Sequence, residues 1–178
     1  MVCGFTHAVR RAILTPMKKT LLIILAVVAL AGLYMWGTYN RFISQNEAVG
    51  GQWAQVETQY QRRFDLIPNL VSSVQGIMKQ EQKIFSNLAE ARTRYTNAVN
   101  GGASPNERAA AATQVEGALG RLIAIFENYP QLRSVETVQS LMIELAGTEN
   151  RIAVARDRYN EAVRAFNVLA KRVPSSII

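Results

Sequence analysis

The chain has 178 residues, 49% of them hydrophobic, a formal net charge of +7, one cysteine (Cys3) and one histidine (His7). Both lie in the first ten residues, so the remainder holds no disulfide, thiol nucleophile, Ser-His-Asp triad or Cys/His metal site of its own. Arg10, Arg11, Lys18 and Lys19 precede an apolar run with no acid beside them; the residues after that run are only mildly basic and lack the stripe of basic and aromatic residues expected of a nucleic-acid binder.

Residues 1–16 form a leader, MVCGFTHAVRRAILTP, without a helical pattern. It ends at Pro16, before Met17-Lys18-Lys19, so Met17 reads as the natural start with Met1 the alternative, and the leader as disordered or outside the natural product.

Residues 17–40 read as a transmembrane anchor. Thr20 to Asn40 carries no charge and is mostly Leu, Ile, Val and Ala. At about 1.5 Å per residue such a helix covers roughly 30 Å, the thickness of a bilayer's hydrocarbon core. Lys18 and Lys19 bound one end and Arg41 the other, with Tyr34, Trp36 and Tyr39 gathered where the headgroups would lie. A cleaved signal peptide is the alternative, because Ala29-Leu30-Ala31 before Gly32 has the small-x-small form of a cleavage site. Against it, the apolar run continues through Leu33, Tyr34, Met35 and Trp36, as an anchor's would. The excess of basic residues before the span puts the N-terminus in the cytoplasm and the domain after it outside.

Residues 41–174 read as an all-α, antiparallel up-down four-helix bundle, with a tail at 175–178. Val49, Trp53, Val56, Tyr60, Phe64 and Ile67 recur at helical spacing, and Leu66-Ile67-Pro68-Asn69 makes a corner with proline early in the next helix. The second stripe runs Leu70, Val74, Ile77, Glu81, Ile84, Leu88, Ala91, Tyr95, which places a glutamate on the seam of one long helix. After the loop at Asn100-Gly101-Gly102, Ser104, Pro105 and Glu107 form a capping box for a helix burying Ala112, Val115, Leu119, Leu122 and Phe126. Ser134 then reads as the cap of a last helix with its stripe at Val138, Leu141, Leu145, Ile152, Tyr159, Val163, Phe166 and Leu169.

Five polar residues stand out with Glu81: Arg62 and Arg63 near the corner, Glu149 on the last helix, and Asn160 and Asn167, seven apart beside its stripe. A carboxylate cluster for metal or acid-base chemistry is one reading. Structural pairing in the core is the stronger one, since a buried carboxylate must be paired or protonated and the Glu-x-x-His motifs of a di-metal bundle are missing. The two asparagines read as buried amides that set helix register. Counting helix lengths down from Asn69 brings Arg92 and Arg94, and on the last helix Arg164, Lys171 and Arg172, to the membrane-proximal end as a basic face.

Several strings resemble the LemA family: Gln61-Arg62-Arg63-Phe64-Asp65-Leu66-Ile67-Pro68-Asn69-Leu70-Val71, Ala118-Leu119-Gly120-Arg121-Leu122, Glu149-Asn150-Arg151-Ile152-Ala153 and Arg156-Asp157-Arg158-Tyr159-Asn160. The resemblance implies a bacterial single-pass protein of the inner membrane with a four-helix bundle, and kinship with a protein needed to build an organelle membrane. It carries no catalytic residues, metal or cofactor. Two departures are Gln80, where members often have a histidine, and an end at Ile178 where many run on into an aromatic-rich tail.

The leading expectation is therefore a non-enzymatic, membrane-anchored interaction or scaffold module, with the membrane and either copies of itself or other membrane proteins as partners. No cofactor, metal, nucleic acid or small-molecule substrate is expected. A lipid-surface binder and an enzyme with an unrecognised carboxylate site are the alternatives.

Overall fold

The computed structural model describes residues 5–172, with side chains from Lys19 onward. Among the described residues the chain is all-α, without a strand. The helices are α1 (Phe5–Asp65), α2 (Ile67–Val74), α3 (Gln82–Asn100), α4 (Pro105–Phe126) and, after a 3-10 turn at Pro130–Ser134, α5 (Glu136–Lys171). Two compact units divide the chain: one takes in α1 as far as Glu47 and α5 from Ala165, the other Ala48–Arg164.

In the first unit, the large apolar side chains from Leu21 to Tyr39 are all exposed on every side of α1. This helix is long and apolar enough to cross a membrane. A helix apolar all round and unpacked against protein is matched by hydrocarbon rather than water. Further along, Phe42 packs on Phe166 with ring centroids 4.7 Å apart. α1 is helical from Phe5 and continues through Pro16. Helix formers such as Ala8, Ala12 and Leu14 supply propensity there even without an apolar stripe.

The second unit buries one stripe from each helix. Trp53, Val56, Tyr60 and Phe64 of α1 meet Phe85, Leu88 and Tyr95 of α3, Val115, Leu119 and Leu122 of α4, and Val138, Leu145 and Ile152 of α5. Each such large apolar side chain contributes about 1.5–3 kcal/mol by leaving water. Side-chain pairs give the directions. Asp65 with Arg92 and Phe64 with Tyr95 make α3 antiparallel to α1. Glu57 with Arg108 and Glu116 with Arg156 return α4 alongside α1, and Arg63 with Glu149, Tyr60 with Arg156 and Trp53 with Tyr159 run α5 antiparallel again.

One long second helix is expected, but the chain breaks between Val74 and Gln82. Gly76 weakens helix there, and Met78, fully buried, takes the core position expected of Ile77, which is left exposed. The break removes Glu81 from a helical seam and makes it the N-cap residue of α3, half-buried.

At the next connection, Gly102 adopts φ 68°, and a Cβ on Gly101 would lie 2.9 Å from the Asn97 carbonyl oxygen, so this loop needs both glycines. The capping box forms as expected: Glu107 N–H donates to Ser104 Oγ at 3.4 Å and Ser104 N–H to Glu107 Oε2 at 2.8 Å. Ser134 does not cap α5 as expected. Pro130 opens a 3-10 turn that ends at Ser134, whose hydroxyl donates back to the Gln131 carbonyl at 2.9 Å instead of capping α5.

Candidate functional site

Helical period turns Arg63 inward between Tyr60 and Phe64 and leaves Arg62 outside. Arg63 is 7% exposed. Its Nη1 donates to the Leu145 carbonyl at 3.3 Å, which also accepts the Thr148 hydroxyl at 2.7 Å. Its Nη2 lies 3.5 Å from Glu149 Oε2, on a side chain that is 74% exposed, while its Nε is buried without a protein acceptor.

Further along α5, Arg156 donates to the Tyr60 hydroxyl and to Glu116 Oε2 at 3.3 Å. Burial raises the pKa of the Tyr60 hydroxyl despite the opposing hydrogen bond from Arg156. For Arg156, burial acts downward, but its contacts with Tyr60 and Glu116 outweigh it and the pKa is raised. Between the Arg63–Glu149 and Arg156–Glu116 pairs lies a depression of about 340 Å³, walled in addition by Gly120, Ile123, Ile152 and Ala153. Three strings that carry the family resemblance, around Gly120, Glu149 and Arg156, meet there with Arg63 from the fourth.

The other singled-out residues are placed differently. Glu81 accepts the Tyr129 hydroxyl at 3.2 Å and, among the described residues, pairs with no arginine, because the helix break carries it to the start of α3. Arg62, Asn160 and Asn167 are exposed and lie outside the buried polar set, which among the described residues is Arg63 and Thr148. The asparagines belong to the part of α5 beyond Ala155, where its stripe is only half-buried.

The basic face also changes. Arg92 pairs with Asp65, the last residue of α1, at 3.5 Å, and Arg94 reaches Glu90 at 2.6 Å and Gln114 at 3.5 Å. Within the second unit, these two thus lie beside the end of α1 and beside α4. Arg164 and Lys171 are exposed on α5, and Arg172 is exposed just past its end. Among the described residues, no three His, Cys, Asp or Glu side chains gather as a metal-ligand set.

A second depression, of about 500 Å³, lies where α4, the 3-10 turn and α5 meet. Its wall is mostly apolar, from Phe126, Leu132, Val138 and Met142, with Glu127, Arg133 and Gln139 as its polar part, and Ile143 stands at its edge 74% exposed. Stripe reading passes over Ile143. The signal was the run Leu141-Met142-Ile143, since three consecutive apolar residues cannot all face one side of a helix.

A model of the LemA family matches residues 52–178. Magnetosome protein MamQ 2 of Paramagnetospirillum magneticum is 31% identical over 176 residues, covering 85% of this chain and 63% of its own. Magnetosome protein MamQ of Magnetospirillum gryphiswaldense is 29% identical over 160 residues, covering 76% and 58%. The chain thus spans less than two thirds of the length of these relatives.

Proposed function

The chain belongs to the LemA family, and from that premise we propose that it is a non-enzymatic, single-pass inner-membrane protein whose helical domain is an interaction module pairing with a second copy of itself. The observation that carries this reading is the exposed Ile143 beside the apolar depression at Phe126, Leu132, Val138 and Met142. A protruding residue next to a hollow is self-complementary under two-fold rotation, each copy's isoleucine entering the other's depression. A shared bilayer supports such pairing by raising the effective concentration of the two surfaces.

The basic residues before the span support a cytoplasmic N-terminus and an extracytoplasmic domain. The names of the magnetosome relatives support a role in organising a membrane. The lipid-surface alternative loses support from Arg92, which is paired with Asp65. The carboxylate-site alternative loses support from Glu116 and Glu149, each of which faces an arginine.

The test is Ile143→Cys in a Cys3→Ser background, oxidised mildly in native membranes. A disulfide-linked dimer of the chain is expected. Absence of the dimer, or linkage only to other proteins, would contradict self-pairing.

A further inference from the structure

The geometry points to the groove between Arg63, Glu149, Glu116 and Arg156 as a binding site for a compact zwitterion, in chemical class an aliphatic α-amino acid. This departs from the expectation that the chain has no small-molecule ligand, and it does not rest on self-pairing.

A buried guanidinium has five N–H donors and is ordinarily supplied with acceptors on all sides. Arg63 has one carbonyl at 3.3 Å, one carboxylate at 3.5 Å that stands mostly in solvent, and an Nε with none. The same residue lines a hollow of about 340 Å³, so a ligand there meets its guanidinium where the acceptors are long or mostly in solvent.

Charge then selects the ligand. A simple anion drawn to Arg63 and Arg156 would meet the Glu116 and Glu149 carboxylates, and a simple cation would meet the two arginines. A molecule carrying both charges a few bonds apart satisfies both signs: its carboxylate takes the donors of Arg63, and its ammonium faces Glu149 and Glu116.

The remaining wall selects the body. Ile123 and Ile152 offer apolar contact suited to an aliphatic side chain. Gly120 lies inside α4, where glycine disfavours helix relative to alanine, yet a Cβ built on it meets nothing within 4 Å. Packing within the protein does not require glycine there; what it leaves is room in the groove. The hollow is at the small end of ligand pockets, adequate for an amino acid.

The charge pair of such a ligand also occurs in a zwitterionic lipid headgroup, so the test separates the two sources. The full-length chain in nanodiscs is titrated calorimetrically with L-leucine, with isovalerate and isopentylamine as single-charge analogues, and with glycerophosphoethanolamine as the free headgroup. Saturable binding of L-leucine is expected, weaker by roughly tenfold for each single-charge analogue, the loss of about one charged hydrogen bond. Glu149→Gln should weaken it by a similar factor, and Gly120→Leu, whose side chain grows into the hollow, should abolish it with helical circular dichroism unchanged. No saturable heat with L-leucine, tighter binding of a single-charge analogue or of the headgroup, or wild-type affinity in Gly120→Leu would each overturn the assignment.

Discussion

The Arg156 guanidinium lies 5.3 Å from the centre of the Tyr60 ring and also donates to that residue's hydroxyl, so one α5 side chain holds α1 by both a ring face and a polar tip. Its bond to Glu116 adds α4 to the same joint. Tyr60→Phe keeps the ring and loses the hydroxyl, and should cost about 1 kcal/mol. Arg156→Ala loses both contacts and leaves Glu116 without its partner, at about 2 kcal/mol, moderated because the arginine is partly exposed. Urea unfolding of the two variants in detergent, monitored by circular dichroism, checks the order.

The Arg63–Glu149 pair is asymmetric, and its two halves should behave differently. Arg63→Ala removes a side chain buried in the core and should cost about 3 kcal/mol, through lost packing as much as lost charge. Glu149→Ala removes an exposed partner at 3.5 Å, and Arg63 keeps the Leu145 carbonyl; a loss below about 1 kcal/mol is expected. Equal losses in the same unfolding experiment would contradict this assignment of burial.

Burial raises Tyr95 from 10.0 to about 12, with Glu57 and Tyr60 acting in the same direction. The folded state therefore holds this proton more tightly than the unfolded chain. The corresponding stability is fully present below pH 10 and is lost as pH rises through about 12. Its size is on the order of 2 kcal/mol. Tyr95→Phe should flatten the fall in melting temperature across that window, and an unchanged fall would show that other groups carry it.

The parts of the fold most legible in the sequence are those set by local rules. Ser104, Pro105 and Glu107 announce the start of α4, and its five buried residues repeat at helical spacing without interruption. The break after Val74 was not legible, because an apolar count runs as well through Ile77 as through Met78, and only packing against the other helices chooses Met78. For that reason alone Glu81 sits at the start of α3 rather than on a helical seam. Asn160 and Asn167 show the complementary failure: a stripe gives the facing side of a helix but not the point at which its packing partners thin out. Within the candidate groove, Arg63 could be found from its phase between Tyr60 and Phe64. Its proximity to Leu145 and Glu149 is set by tertiary packing, which no local pattern records.

The charge asymmetry across the span predicts its orientation. With Arg10, Arg11, Lys18 and Lys19 before the span, the expected arrangement is a cytoplasmic N-terminus and an extracytoplasmic helical domain. Protease added to intact spheroplasts should degrade the domain; complete protection until lysis would reverse the orientation.

Permanent anchoring is tested most directly by the intact mass of the chain recovered from carbonate-washed membranes. Retention of residues 20–40 is predicted, with the protein in the membrane pellet. A soluble chain beginning at Gly32, after Ala29-Leu30-Ala31, would contradict it and make the apolar stretch a removed signal.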